Sequence, residues 1–228
     1  EYHEAYPIGR EAGQNDVLAI AVDSSDCVWA GAKAGLFRLD SDKKQWIELM
    51  GETDAGPVYD IVADRAGTVW IGAWNGLYRS TPNGLQKLKQ IDCPIAALCV
   101  IENEVIGFGG SGLWYVTNDT CTYKQMPYSK QFRAALADKS GGLWIATGMG
   151  LYHHTDSGYK LYQTESELLG LDLQDIAYTR DGSLWIGGLG GITVYKDDKR
   201  IHSITAADGL PSISIQCVEQ GPDGEMWV

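Results

Sequence analysis

The chain of 228 residues has few basic side chains, few histidines and no long apolar run. Its 18 Lys and Arg stand against 30 Asp and Glu, so the formal net charge is −12. A field of this sign repels phosphate backbones and anionic lipid surfaces, so the composition predicts neither a nucleic-acid partner nor contact with a membrane. No apolar run approaches the roughly 20 residues that a membrane-spanning helix needs.

Patterns of catalytic and metal-binding residues are also missing. The five cysteines are odd in number and include no CxxC pair, so at least one thiol stays free and no metal or redox spacing appears. His153 and His154 are adjacent, and neighbours on a strand point to opposite faces, so the two cannot chelate one metal on a regular strand. Neither a P-loop nor a nucleophile-elbow motif occurs. The sequence therefore predicts no cofactor, no metal site and no catalytic residues in this segment.

The residues present in excess are 28 glycines, 8 tryptophans and 12 tyrosines, against 3 phenylalanines and 7 prolines. This mixture is typical of tight turns that join aromatic-rich strands, and it predicts an all-β fold. A repeat of about 40 residues then decides the architecture. Its anchor positions, spaced 41, 36, 38, 41 and 42 residues apart, are Trp29, Trp70, Ile106, Trp144, Trp185 and Trp227. Six residues after each of the first five anchors is a glycine, at Gly35, Gly76, Gly112, Gly150 and Gly191.

Each repeat predicts four short strands, which we name a to d. Strand a is an apolar run such as VYDIVA at Val58, and a D-x-x-G turn leads from it into strand b, which carries the anchor. Strand c begins at the glycine, and strand d is more variable. In the turn, the Asp carboxylate is expected to accept backbone N–H groups while Gly supplies a positive φ. Two repeats depart from the pattern, with Asp26 in place of this Gly in the first and Ile106 in place of the Trp in the third.

Four antiparallel strands per repeat predict a β-propeller of four-stranded antiparallel blades, with five complete repeats and one split or truncated blade. Packing blades face to face buries both faces of each sheet, so we expect four tryptophans to lie buried between blades: Trp29, Trp70, Trp144 and Trp185. The chain would form a single propeller segment over 1–228, with blades at approximately 17–57, 58–94, 95–131, 132–172 and 173–212, and a partial blade made of 213–228 and a strand from 1–14. Because the two ends supply complementary parts of one blade that lacks strand c, we expect this chain to be an excerpt of a longer propeller array.

The repeat pattern is most complete at Asp64–Tyr78, Asp138–Tyr152 and Gly182–Val194. There it resembles the two-component regulator propeller repeat, and the resemblance covers essentially all of residues 15–228. It implies the extracytoplasmic sensor domain of a hybrid two-component system of the kind found in gut Bacteroidetes, in which family members sense glycan fragments. It also implies a periplasmic or extracellular location and no enzyme activity in this segment, although a full-length parent can carry a histidine kinase. The turn is also similar to the Asp-box of sialidases, but there the Asp lies five residues before the Trp, whereas Asp64 and Asp138 lie six before it.

Ligand-binding residues are expected in the b–c and d–a loops, which lie at the same end of each blade. Residues that differ between blades at equivalent loop positions are informative, because the scaffold does not dictate them. They give five ligand-binding candidates, namely Lys33, Trp74 and Asn75 in b–c loops and Tyr59 and Arg133 at the second position of strand a. This mixture of aromatic, amide and cationic groups suits a carbohydrate or an anionic sugar. The alternative is that Tyr59 packs between blades and that Arg133 pairs with Asp175 or Asp60.

Three functions remain open from the sequence. The leading hypothesis is a non-catalytic, ligand-binding sensor segment, whose partners are a glycan or other small ligand and the rest of a longer sensor chain, with a homodimer as an open option. A carbohydrate-active enzyme, either a polysaccharide lyase or a glycosidase, would need a His/Tyr or carboxylate cluster at the channel mouth. A protein-interaction scaffold would be favoured by an exposed apolar patch on the b–c face without a concave pocket.

Overall fold

The computed structural model describes residues 7–9, 13–40, 42, 44–117, 120–127 and 131–228, apart from the side chains of residues 52 and 53. Five four-stranded antiparallel sheets and one two-stranded sheet follow one another along this part of the chain, and the neighbours in each sheet are consecutive strands. The all-β prediction is therefore confirmed. Sheet 1 contains β1 (Val17–Val22), β2 (Val28–Ala32), β3 (Gly35–Asp40) and β4 (Gln45–Gly51). Sheet 2 contains β5 (Val58–Ala63), β6 (Val69–Ala73), β7 (Gly76–Thr81) and β8 (Gly84–Lys87).

The remaining sheets repeat the same order. Sheet 3 contains β9 (Ile95–Ile101), β10 (Glu104–Gly109), β11 (Gly112–Thr117) and β12 (Thr120–Gln125). Sheet 4 contains β13 (Phe132–Ala137), β14 (Leu143–Thr147), β15 (Gly150–Thr155) and β16 (Gly158–Tyr162). Sheet 5 contains β17 (Leu173–Tyr178), β18 (Leu184–Gly188), β19 (Gly191–Lys196) and β20 (Lys199–Ile204), and sheet 6 contains β21 (Glu219–Gln220) and β22 (Met226–Trp227).

The chain divides into two compact units, Glu1–Met126 with sheets 1 to 3 and Pro127–Val228 with sheets 4 to 6. The single segment over 1–228 and the blade boundaries stay predictions. The strand expected within 1–14 falls largely outside the described residues, and the described residues 7–9 and 13–14 form no strand. Two short helical turns, α1 (Glu52–Ala55) and a 3₁₀ turn at Ala206–Asp208, occur in the described part. No helix there combines the length and the hydrophobicity needed to cross a bilayer.

The predicted turn chemistry is present between strands a and b. In sheet 2, Oδ1 of Asp64 accepts the backbone N–H groups of Ala66 and Thr68, both at 2.9 Å, and Gly67 adopts a φ of 84°. The sequence did not reveal the second role of this carboxylate, since its Oδ2 accepts the indole N–H of Trp70 at 2.9 Å. In sheet 1, Asp23 repeats these bonds and accepts the indole of Trp29 at 2.8 Å. The Asp of the turn therefore fixes the anchor indole six residues later.

Three of the four anchor tryptophans are buried. Trp29, Trp70 and Trp144 are 5%, 6% and 3% exposed, and each lies in a hydrophobic cluster that joins its own sheet to the next one. Trp185 is only partly buried, and its repeat has Thr179 where the others have the turn Asp. In sheet 3, Ile106 fills the anchor position and is 1% exposed. The packing role thus survives the change from Trp to Ile.

The glycines that begin strand c are required because a backbone carbonyl oxygen, from strand d or from the segment just after it, approaches them closely. A Cβ on Gly76 would lie 2.6 Å from the carbonyl oxygen of Ile91, and φ at this residue is 142°. A Cβ on each equivalent glycine would also meet a backbone carbonyl oxygen, and φ is positive at three more, namely Gly35, Gly150 and Gly191, though not at Gly112. Side chains are therefore excluded at the start of strand c.

A β-bulge marks the second residue of strand a in all five four-stranded sheets. In sheet 2, the register shifts between Val58 and Asp60, so Tyr59 has no partner on β6. The equivalent bulged residues of the other sheets are Leu18, Ala96, Arg133 and Gln174. A bulge changes the direction of a side chain and interrupts pairing. The position that the sequence singled out for Tyr59 and Arg133 is thus a structural irregularity common to every repeat.

Candidate ligand-binding site

Large apolar side chains are exposed in the b–c loops, at the end of each sheet where strand b passes into strand c. Trp74 is 58% exposed in sheet 2, Met149 is 61% exposed in sheet 4 and Leu189 is 53% exposed in sheet 5. The anchor tryptophans, by contrast, are mostly buried. Because the scaffold does not need these loop side chains for packing, they are available to a ligand or a partner.

A rigid loop holds Trp74 in its exposed position. Its backbone N–H donates to the carbonyl of Pro57 at 2.9 Å, and its side chain lies over Gly56, where a Cβ would come within 2.9 Å of the Trp74 Cβ. Gly56 has a φ of 67°, which favours glycine there. The indole is thus supported on one side by a residue without a side chain.

Asn75 stabilises the same loop. Its Nδ2 donates to the carbonyl of Asp54 at 2.6 Å, and its Oδ1 accepts the hydroxyl of Tyr78 at 2.8 Å. Its backbone N–H also donates to the carbonyl of Ala55. Both ends of the amide therefore have partners within the protein, and its role in ligand binding stays a prediction.

Tyr59 is half-buried at the bulge of β5, and Val58 beside it pairs with Ala73, the residue before Trp74. Tyr59 and Trp74 therefore belong to the same corner of sheet 2. Burial raises the pKa of the Tyr59 phenol, so its hydroxyl stays neutral at physiological pH. A neutral phenol both donates and accepts a hydrogen bond.

The two cationic candidates each have an acidic neighbour. Nζ of Lys33 lies 2.9 Å from Oδ2 of Asp16, and the side chains are 59% and 54% exposed. The guanidinium of Arg133 lies 3.6 Å from Oδ1 of Asp172, with side chains 40% and 46% exposed. Exposed pairs of this kind contribute little to stability, so both cations can exchange partner for an anionic ligand.

Lys33, Tyr59, Trp74 and Asn75 belong to the first compact unit, and Arg133 belongs to the second. Within the first unit, Lys33 lies in the b–c loop of sheet 1 and the other three in sheet 2.

Two further carboxylates follow the bulge, at Asp60 and Asp175. Oδ2 of Asp60 accepts the backbone N–H of Leu98 at 2.7 Å, and Oδ2 of Asp175 accepts that of Val218 at 2.9 Å. Asp60 thus ties sheet 2 to β9, and Asp175 ties sheet 5 to the residue before β21. Burial raises the pKa of Asp175.

Exposed apolar side chains that the repeat pattern did not identify as a group lie at the b–c end of the second unit. They are Met149, Leu171, Leu189 and Ile213, which are 44% to 61% exposed. Backbone bonds connect the segments of three of them, since Leu189 donates to the carbonyl of Asp172, next to Leu171, and Gly190 donates to that of Ile213. A signal was available, because Leu189 occupies the repeat position of Trp74, and Met149 that of Asn75.

A polar cluster lies at the opposite end of sheet 4, next to the a–b turn. Nε2 of His153 lies 3.0 Å from Oδ2 of Asp138, and the imidazole stacks on Trp144 with ring centroids 3.8 Å apart. The indole N–H of Trp144 donates to the hydroxyl of Tyr178 at 2.9 Å, and that hydroxyl donates to Oδ1 of Asp138 at 3.2 Å. The Asp–indole bond of sheets 1 and 2 is therefore replaced here by a four-residue network.

The ionisation of this cluster follows from its contacts. Burial alone would raise the pKa of Asp138, but hydrogen bonds from Ser140 and His153 outweigh burial and lower it. Burial, together with the charge of Asp138, raises the pKa of Tyr178 to about 12. A cavity of about 170 Å³ is lined by Asp138, Tyr178 and Trp144. The cluster has the residue types of an acid–base site, but its hydrogen bonds are directed inward.

Five cavities among the described residues, of about 170 to 570 Å³, are lined by a–b turns, c–d hairpins and strand d. None of these five includes a b–c loop residue. The exposed side chains of the b–c ends, such as that of Trp74, thus lie outside these five cavities.

Comparison with protein-family models and with curated protein sequences finds no match. Among solved structures, virginiamycin B lyase from Staphylococcus aureus has a TM-score of 0.75 at 16% identity, covering 98% of this chain and 79% of that one. The WD40 β-propeller domain of Doa1 also has a TM-score of 0.75, at 16% identity, covering 94% and 75%. The extracellular domain of the putative hybrid two-component system BT4673 from B. thetaiotaomicron has a TM-score of 0.64 at 14% identity, covering 98% of this chain and 38% of its own.

At these identities the likeness shows the fold alone. These similar structures include a lyase, a WD40 β-propeller domain and the extracellular domain of a two-component system. The chain spans about two fifths of the sensor domain that it resembles. The function must therefore be argued from the site.

Proposed function

We propose that this chain is a non-catalytic, ligand-binding segment of an extracellular or periplasmic two-component sensor, and that it recognises a carbohydrate or glycan fragment. The repeat pattern and the likeness to the BT4673 extracellular domain over 98% of this chain support the sensor class. The exposure of Trp74 supports the ligand site, because equivalent loops carry Lys33, Gly110, Gly148 and Leu189 and no packing rule demands an indole there.

An exposed indole on a rigid loop offers a flat apolar face on which a sugar ring can stack. Tyr59 supplies a neutral hydroxyl from the same corner of sheet 2, and Asn75 holds the loop. Lys33 in the first unit and Arg133 in the second each offer a cation to a carboxylate or sulfate, with Arg binding in a bidentate manner. Their attraction offsets the repulsion that an anionic ligand meets from a chain of net charge −12.

The experiment is calorimetric titration of a panel of neutral and acidic oligosaccharides against the chain. Trp74→Ala should lose binding, whereas Trp227→Ala, which removes an indole of similar exposure, should retain it. Arg133→Ala should weaken only acidic oligosaccharides. Unchanged affinity in Trp74→Ala, with a ligand that binds the parent, would remove this site.

A protein-interaction surface is the second candidate, and the exposed apolar group Met149, Leu171, Leu189 and Ile213 favours it. A solved structure of similar fold, with a TM-score of 0.64 at 13% identity, is that of YCF48 bound to the D1 peptide. A peptide array separates the two candidates, since a scaffold binds apolar peptides through Met149 and Leu189 and is indifferent to Trp74→Ala.

An enzymatic function is tested directly, because a structural neighbour is a lyase. Incubation with a polyuronic acid panel should yield no unsaturated product absorbing in the ultraviolet. Product formation that disappears in His153→Gln would show that the Asp138–His153–Tyr178 network is catalytic, and it would refute the proposal of a non-catalytic segment.

A further inference from the structure

Sheet 2 carries a local excess of positive charge. Residues 65–91 are the longest stretch of the sequence without Asp or Glu, although the whole chain has a net charge of −12. This stretch spans β6, β7 and β8, and it contains the cations Arg65, Arg79, Lys87 and Lys89. A region of this sign attracts an anionic ligand that the rest of the chain repels.

Two cavities lie beside these cations. One, of about 570 Å³, is lined by Arg79 and by residues 85–90. The other, of about 320 Å³, is lined by Arg79, by Arg65 and other residues of the a–b turn of sheet 2, and by residues of sheet 3. Because Arg79 lines both, the cavities adjoin at its side chain, and we name the two together the edge groove. All of the lining residues belong to the first compact unit.

The smaller cavity lies next to an unusually short turn. Five residues separate strands a and b in the other four-stranded sheets, but in sheet 3 only Glu102 and Asn103 lie between β9 and β10. Both of these residues line the smaller cavity, together with Asp64 and Arg65 from the longer turn of sheet 2. A shorter turn fills less space, so the cavity lies where sheet 3 departs from the repeat.

Arg79 is held in place where the two cavities adjoin. Its Nε and Nη2 donate to Oε1 of Gln86 at 3.1 and 2.9 Å, and its guanidinium lies 5.9 Å from the ring centroid of Trp70. The repeat does not require the amide, because Arg38 of sheet 1 lies over its own anchor indole in the same way but pairs in register with Ile47. A side chain that is already ordered loses less conformational freedom when it binds a ligand.

The accessible wall of the edge groove is polar. Apolar residues that line it are largely buried, since Trp70, Leu88 and Val116 are 6%, 8% and 1% exposed. Side-chain amides also line it, at Gln86, Gln90 and Asn103. Peptide recognition needs pockets for side chains or pairing with a strand edge, whereas amides and cations suit a hydrophilic ligand with hydroxyl and acidic groups.

We propose that the edge groove binds an acidic oligosaccharide. The sulfate or carboxylate groups of this ligand pair with Arg79 and with Lys89, which is exposed at the larger cavity. The amides of Gln90 and Asn103 donate to its hydroxyl groups. None of the five ligand-binding candidates of the b–c loops and strand a lines either cavity. The groove is therefore a second site, and its occupancy does not depend on Trp74 or on the sensor function proposed above.

Calorimetric titration with sulfated and uronic oligosaccharides tests this site in the Trp74→Ala background. That substitution removes the site proposed in the b–c loops, so acidic oligosaccharides then report on the edge groove. Arg79→Gln should weaken their binding about tenfold, as the loss of a charge-assisted contact does. Arg38→Gln is the matched control, because it removes the equivalent cation over the anchor indole of sheet 1, and it should have no effect.

A further variant should produce a gain that damage to the fold does not imitate. Glu102→Gln removes a negative charge from the wall of the smaller cavity, so it should strengthen the binding of acidic oligosaccharides. Lys89→Gln should weaken it, because a cation is lost from the larger cavity. Circular dichroism and unfolding curves verify that each variant folds.

Three results would overturn the edge groove. They are the absence of binding of acidic oligosaccharides to the Trp74→Ala chain, an equal loss in Arg79→Gln and Arg38→Gln, and tighter binding of an oligoglutamate peptide than of the oligosaccharides. The last result would assign the groove to a protein partner. The b–c site is measured separately, with neutral oligosaccharides and the parent chain, so the two proposals fail independently.

Discussion

Replacing Trp144 with Ala tests the packing that holds sheets 4 and 5 together. Trp144 is 3% exposed and shares a cluster with Leu173 and Ile176 of sheet 5. A buried Trp removes about 150–250 Å² of surface from water, and truncating a large aromatic residue in a core costs about 3–5 kcal/mol. Domains of ordinary stability unfold at about 5–15 kcal/mol, so the variant should lose a large part of its stability.

The assay is equilibrium unfolding in urea, followed by fluorescence and circular dichroism. Two further variants separate the contributions. Trp144→Phe keeps a ring in the core but removes the indole N–H bonded to Tyr178, so it should lose about 1 kcal/mol from that bond beyond the repacking cost. Trp185→Ala should lose less than Trp144→Ala, because Trp185 is only partly buried. A loss below about 1 kcal/mol for Trp144→Ala would refute the packing role.

Four other predictions concern the turns and the polar network. Asp64→Ala should lower the free energy of urea unfolding by about 2–3 kcal/mol, because two backbone N–H groups and the Trp70 indole lose their acceptor, and an unchanged value would contradict that role. Gly76→Ala should lower the free energy of unfolding by about 1–3 kcal/mol, and Gly84→Ala should lower it by less. Both glycines have a positive φ, but only a Cβ at Gly76 would approach a carbonyl oxygen. Equal losses in the two variants would exclude this close approach as the cause. Folding lowers the pKa of Asp138, so its carboxylate stabilises the fold at pH values above its unfolded pKa. This stabilisation is lost as the pH falls through the folded pKa. Asp138→Asn should therefore make the free energy of unfolding less dependent on pH in the acid range. For the same network, ultraviolet titration of the tyrosines should show that Tyr178→Phe removes a group ionising near pH 12.

The repeat pattern predicts the sheets because it is local. Strands β5, β9 and β17 begin where the apolar runs of the sequence begin, at Val58, Ile95 and Leu173. These starts could be predicted because an apolar run bounded by turn residues is recognisable from a few neighbouring positions. The network of sheet 4 could not be predicted in this way. It depends on Tyr178, 40 residues after Asp138, whose hydroxyl takes the place that the turn carboxylate fills for Trp70 in sheet 2.

The candidate site was predictable only in part, for a similar reason. The repeat shows that Trp74 is an unusual residue at its loop position. The contact of Trp74 with Gly56 and the hydrogen bonds of Asn75 depend on the conformation of the loop, which the repeat pattern does not predict. The bulge at Tyr59 was also hidden, because a bulge changes the register without changing the apolar pattern. The exposed group around Leu189 was overlooked because an aliphatic residue in a β-rich sequence is expected to be buried.

Departures from the repeat fall into two kinds, and exposure separates them. At a position where the fold needs a buried side chain, the replacing residue is also buried. Ile106 stands in place of the anchor Trp and is 1% exposed. His153 likewise stacks on Trp144 at the register position where Arg79 lies over Trp70. In the b–c loops the departures are uncompensated, since Trp74 is 58% exposed. Because the fold neither requires nor covers such a side chain, the b–c loops are where the proposed recognition is to be tested, whereas the anchor positions serve packing.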